Sequence, residues 1–149
     1  MKKCIALFMA VCLLGVCPCA WADYWNEGHS GTEADPYVID TNADLEALRD
    51  RVNAGTESGD KYYKLTQNLT LSQYTTWSPI GTTKNPFTGH FDGNNLAVQL
   101  NIVDKAYNAT SGLFGRVATA DDTYAIKKLG VSGAVKGRYS GGIILRLDS

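Results

Sequence analysis

The chain has 149 residues, 14 basic against 15 acidic side chains, 44% hydrophobic residues and four cysteines. A near-neutral balance of this kind offers no basic footprint for nucleic acid or an anionic membrane surface. The length suits one small domain or one end of a larger protein.

The first residues are set apart by composition. Lys2 and Lys3 make a positive start, residues 4–19 are apolar apart from Gly15 and Pro18, and Ala20-Trp21-Ala22 is a small-x-small exit. This is the grammar of a secretory signal peptide, and the apolar run is short for a membrane span. The expectation is a signal peptide over 1–22 with cleavage after Ala22, which leaves 127 residues from Asp23 to Ser149. Removing Lys2 and Lys3 leaves 12 basic residues against 15 acidic, a net charge of −3. Cys4, Cys12, Cys17 and Cys19 all leave with the signal, so the mature chain has neither a disulfide framework nor a thiol nucleophile. A lipoprotein reading needs a small residue directly before a cysteine, and Val11, Val16 and Pro18 occupy those places. No later stretch approaches the roughly 20 apolar residues of a membrane-spanning helix, so no span is expected once the signal is removed.

Residues 23–35 are polar, with Gly28 and Gly31, and read as a leader. Pro36-Tyr37-Val38-Ile39-Asp40 predicts a short strand. A helix follows, capped by Thr41 or Asn42, with Leu45, Leu48 and Val52 on one face and Gly55 just past its end. Asp44, Glu46, Arg49, Asp50 and Arg51 are placed on its outer face. After Gly59-Asp60 the pattern changes to short apolar and β-branched runs separated by Gly, Asn, Asp, Ser and Thr. These runs cover 62–71, 77–80, 96–103, 113–117, 125–135 and 143–147, and they predict an all-β domain.

Two phrases recur. Ser111-Gly112-Leu113-Phe114-Gly115 and Ser140-Gly141-Gly142-Ile143-Ile144 start 29 positions apart (140 minus 111), and so do Leu100-Asn101-Ile102 and Leu129-Gly130-Val131. The stretch 98–102 matches 126–131 if the second carries one extra residue, as a β-bulge would. A fixed period in the twenties predicts a solenoid whose turns stack with apolar residues inward and glycines at corners. The alternative is chance similarity among the Gly-rich strands of a sandwich.

The series Phe87-Thr88-Gly89-His90-Phe91-Asp92-Gly93-Asn94-Asn95, then Leu100-Asn101-Ile102, Gly112-Leu113-Phe114-Gly115, Ala125 through Gly133, and Gly141-Gly142-Ile143 resembles the GLUG-motif repeat of bacterial surface proteins. Gly112 to Gly115 supply the Gly-Leu-x-Gly phrase itself, and the segments before residue 86 are similar to the lead-in of such repeats. The resemblance spans roughly residues 36–143. It implies an exported right-handed parallel β-helix used in adhesion, with a host matrix protein or a glycan as partner. It divides the chain into an amino-terminal cap with a helix and first strands at 36–85 and GLUG-like repeats at 86–149. Related repeats also precede the catalytic part of some immunoglobulin A-cleaving metallopeptidases. After Ile143 the family pattern continues into further coils, whereas Ile144 through Ser149 close this sequence. The expectation drawn there is a truncated frame whose uncapped last coil invites self-association.

Chemistry-bearing residues are few, and no catalytic, cofactor-binding or metal site is assigned. His29 lies in the leader and His90 in the turn before Phe91; neither belongs to a His-Glu-x-x-His run, so both are read as surface or turn residues. Gly28-His29-Ser30-Gly31 and Gly130-Val131-Ser132-Gly133 lack the second glycine of a nucleophile elbow. Asp92-Gly93-Asn94-Asn95 and Asp121-Asp122 bring too few oxygens for calcium and suit tight turns. Arg116, Lys127, Lys128, Lys136 and Arg138 are the cations a β-helix polysaccharide lyase would draw on; solvated faces explain them more simply. Tyr62, Tyr63 and Trp77 can stack on sugars, but packing beneath the helix is their default use. Asn68-Leu69-Thr70 and Asn108-Ala109-Thr110 match the glycosylation acceptor pattern, relevant only in a host that glycosylates. The resulting function is an exported, non-catalytic module, with the front of a secreted metallopeptidase or a fragment of a polysaccharide lyase as alternatives.

Overall fold

The computed structural model describes residues 28–57, 59–71, 77–103, 110–118, 125–136, 139–140 and 142–148. The expected signal peptide, residues 23–27 of the polar leader, Asn108, Asp121, Asp122 and Arg138 lie outside the described residues, as does the side chain of Lys136. The chain is mainly β with parallel strands. Its elements run β1 (Tyr37–Ile39), α1 (Asn42–Ala54), β2 (Tyr62–Leu65), β3 (Leu69–Leu71), β4 (His90–Val103), β5 (Thr110–Ser111), β6 (Phe114–Ala118), β7 (Ile126–Lys136), β8 (Tyr139–Ser140) and β9 (Ile144–Asp148).

α1 begins where its sequence predicts. Thr41 is the N-cap: its Oγ1 accepts from the Asp44 amide at 3.2 Å, and Asp44 Oδ2 accepts from the Thr41 amide at 2.7 Å, a reciprocal capping box. Asp44 is therefore buried, 8% exposed, rather than on the outer face. Gly55 ends the helix in the left-handed region at φ 74°, where a side chain is disfavoured. Leu45, Leu48 and Val52 are buried, and α1 lies against β1 and β3. Arg49 spreads over the buried Trp77, with its guanidinium carbon 4.8 Å from the ring centroid.

Every strand pairing among the described residues is parallel. Tyr37 pairs Tyr63, Tyr62 pairs His90, and Leu69 pairs Val98, at separations of 26 (63 minus 37), 28 (90 minus 62) and 29 (98 minus 69). β4 therefore lies beside β2 with its first residues and beside β3 with its later ones, and β7 flanks β4 on the other side. Two further ladders run alongside: β5 with β8, and β6 with β9, the latter extended by bridges from Ile80 to Phe114 and from Phe87 to Val117.

The core follows from this register. Side chains alternate across a strand, so parallel partners in register send equivalent residues to the same side. Ile39 with Leu65, Tyr63 with Phe91, Leu69 with Val98, Leu71 with Leu100, Ile80 with Phe114 and Phe87 with Val117 are six such pairs, and all twelve residues are buried. An aromatic row crosses this interior. Ring centroids lie 5.8 Å apart from Tyr37 to Tyr63 and from Tyr63 to Phe87, then 5.2 Å from Phe87 to Phe114 and 5.5 Å from Phe114 to Phe91.

The repeated phrases are placed unequally. Ser111 pairs Ser140 at the expected separation of 29 (140 minus 111), and Phe114 pairs Ile144. The other expectation is corrected: Leu129 pairs Leu96, Leu100 pairs Gly133 and Val98 pairs Val131, a separation of 33 (131 minus 98). The irregularity also lies in the first copy. Three residues, Gly93 to Asn95, separate Asp92 from Leu96, whereas only Lys128 separates Lys127 from Leu129. Asn94 and Asn95 are both left-handed at φ 53° and 61°, and the Asn94 amide donates to Asp92 Oδ1 at 2.8 Å. A Cβ at Gly93 would sit 2.4 Å from Leu129 Cα, so this turn needs glycine. The segment read as a turn is thus inside β4, which starts at His90, six residues before the predicted strand. Residues 77–80 form no strand beyond the single bridge at Ile80.

Candidate functional site

The same alternation that sends Tyr63, Leu65 and Phe91 inward leaves Tyr62, Lys64, His90, Asp92 and Lys127 on the opposite side of the ladder. They line a groove of about 190 Å³ together with Tyr63 and with Glu33, Ala34 and Pro36 of the segment leading into β1. Register brings them together: Tyr62 pairs His90, Lys64 pairs Asp92, and Asp92 pairs Lys127. Neighbouring parallel strands lie about 4.8 Å apart, so partners in register are neighbours in space although 28 or 35 positions apart in the chain.

Tyr62 and His90 stack, with centroids 4.3 Å apart and planes 22° from parallel. The His90 amide donates to Lys61 O at 2.8 Å and the Tyr62 amide to Gly31 O at 3.0 Å, so both rings stand on fixed backbone. His90, 8% exposed, is a strand residue in a stack rather than a turn residue. Asp92 divides its oxygens: Oδ1 accepts from the Asn94 amide and Oδ2 lies 3.4 Å from Lys127 Nζ, both side chains being partly exposed.

Two titrating groups flank the groove. Burial, and then the charge and hydrogen bond of Glu57, push the Tyr63 phenol well above its ordinary value. Its hydroxyl donates to Glu57 Oε1 at 2.8 Å, while Arg51 Nε donates to Glu57 Oε2 at 2.7 Å, tying α1 and the loop after it to β2. Asp35 is held below the ordinary carboxylate value chiefly by its hydrogen bond to His29 Nδ1 at 2.7 Å and by the Ser30 amide at 2.7 Å. That pair organises the leader turn.

Of the residues singled out in the sequence, Tyr62, His90, Asp92 and Lys127 meet in one place, whereas Trp77 goes to the core under α1. His29 is separately engaged with Asp35, and Ser132 lies within β7 without any elbow. Asn68 Oδ1 accepts from the Ala97 amide at 2.8 Å and so bridges adjacent strands. Glu33 and Lys64 were missed by sequence reasoning; Lys64 was legible as the outward partner two residues from Tyr62. Among the described residues, no three His, Cys, Asp or Glu side chains are close enough to share a metal ion.

No family model and no solved structure matches the chain. The chain is similar to two curated proteins. One is described as a putative Gly-rich membrane protein of Evansella cellulosilytica, 31% identical over 93 residues that make up 59% of this chain and 10% of that protein. The other is described as halomucin of Haloquadratum walsbyi, 30% identical over 113 residues, 70% of this chain and 1% of that protein. The chain thus spans a tenth and a hundredth of the lengths of these relatives.

Proposed function

We propose that the chain is a non-catalytic, exported module of a surface-associated, adhesin-like protein, built as a right-handed parallel β-helix of the GLUG-repeat kind. The observation that carries this reading is the uniform parallel register, with strands returning beside their predecessors after 26 to 35 residues in three adjacent ladders. In a coil of this kind each turn supplies one strand per face and buries its inward residues on the turn before. α1 then acts as the amino-terminal cap, since it lies against β1 and β3 at one end of the ladder. One similar protein is described as a membrane protein, which supports a location at the cell surface. Among the described residues no helix is long and apolar enough to cross a membrane. The lyase alternative has one observation in its favour, the Asp92–Lys127 pair, a single carboxylate beside a single lysine.

Expression of residues 1–149 in a bacterial host tests this reading. The expected product begins at Asp23 by mass spectrometry and is accessible to protease on intact cells. An unprocessed chain retained in the cytoplasm overturns it.

A further inference from the structure

We propose that the groove on the outward face of β2, β4 and β7 binds one neutral sugar ring of a glycan; this rests on the surface-module reading above and names its ligand class. Size is the first argument. Pockets for drug-sized ligands occupy about 300–1,000 Å³, and a groove of about 190 Å³ holds something smaller, on the scale of a single ring.

Charge is the second. Lys64 and Lys127 stand beside Glu33 and Asp92, two cations against two carboxylates, so the groove attracts neither an anion nor a metal ion by net charge. What it does present is a set of donors beside acceptors. A lysine ammonium only donates and an ionised carboxylate only accepts. A hydroxyl does both, so adjacent hydroxyls of a sugar can accept from Lys127 and donate to Asp92 in place of water. Lys127 Nζ and Asp92 Oδ2 are 3.4 Å apart, close enough for neighbouring hydroxyls to address both.

Rigidity is the third. Lys64, Asp92 and Lys127 stand on registered strands, Asp92 is further fixed by the Asn94 amide, and Tyr62 is held by its stack on His90. An aromatic side chain with an apolar body and a polar tip offers a carbon-rich ring face a surface to lie on while its hydroxyl stays wet. A site formed beforehand loses little freedom when it binds.

The test is an NMR titration of the mature chain with methyl glucoside, methyl galactoside and methyl mannoside, with glucuronate and inorganic phosphate as charged probes. At least one neutral glycoside should shift the Tyr62 and His90 ring resonances saturably, with a dissociation constant of about a millimolar, as expected of a single-ring site. Asp92→Asn and Lys127→Gln should each weaken that binding by roughly tenfold, the loss of one charge-assisted hydrogen bond, without changing the circular dichroism spectrum. The proposal is overturned if no neutral glycoside shifts these resonances, if glucuronate or phosphate binds more tightly than every glycoside, or if both variants bind as the parent does. Failure here with normal export and parallel register leaves the surface-module reading standing; failure of the register removes both.

Discussion

Phe114 sits between two aromatic rings of the interior. It is fully buried, its ring lies 5.2 Å from Phe87 and 5.5 Å from Phe91, and its amide donates to Ile143 O at 2.9 Å. Phe114→Leu keeps most of the apolar area but removes two aromatic pairs, each worth about 0.5–1.5 kcal/mol. The expected loss is about 1–3 kcal/mol. Phe114→Ala adds a cavity and should cost about 3–5 kcal/mol. Domains are stable by only about 5–15 kcal/mol, so the leucine variant should fold and the alanine variant should be marginal. Denaturant unfolding followed through the buried Trp77 measures both, with an unchanged denaturant slope expected for the leucine variant. A leucine variant within about 0.5 kcal/mol of the parent, the usual range of a surface change, would refute the placement of Phe114 between two aromatic partners.

Gly81 adopts φ 89°, and a Cβ there would lie 2.2 Å from Arg116 O and 2.9 Å from the Phe87 nitrogen. Gly81→Ala should therefore cost more than the roughly 1–3 kcal/mol of the strained conformation alone. Gly28→Ala, at φ 92° with nothing within 4 Å, should cost less, and equal losses in denaturant unfolding would contradict the close approach. The raised Tyr63 phenol sets a high-pH limit. The folded state keeps the proton that the unfolded chain gives up near pH 10, so this stabilisation is complete below that value and declines as pH rises above it. Tyr63→Phe should flatten that decline in a series of melts from pH 8 to 11; an unchanged slope would show that other groups cause it.

The helix was legible because its signals are local: a capping Thr41, Asp44 three residues later, apolar Leu45, Leu48 and Val52, and Gly55 at the end. Asp44 was assigned to the wrong face because helical periodicity alone does not show that an N3 carboxylate folds back over the cap. Most strand positions were legible from composition, except the start of β4 at His90 and the run 77–80, whereas the repeated phrases gave the true register at Ser111 and Ser140 and not at Leu100 and Leu129. Leu100-Asn101-Ile102 and Leu129-Gly130-Val131 share an apolar-x-apolar pattern that any inward-facing strand shows with period two, so the phrase fits several registers. The true one depends on Gly93, Asn94 and Asn95, whose turn absorbs extra chain within β4. The groove was hidden for the same reason. Tyr62, His90, Asp92 and Lys127 become neighbours only once the separations of 28 and 35 are known.

Stacking of strand upon strand is most directly tested by a pair of engineered cysteines. Gln99 and Ser132 are exposed register partners on β4 and β7, and residues 23–149 contain no cysteine, so the pair is engineered in that segment. Parallel neighbours about 4.8 Å apart fall within the Cα separation of about 4.4–6.8 Å that a disulfide spans. Gln99→Cys with Ser132→Cys should oxidise to an intramolecular disulfide seen by mass spectrometry, while Gln99→Cys with Lys128→Cys should not. Cross-linking of the second pair in preference to the first, or of neither within one chain, would contradict the parallel register on which the fold and its surface both depend.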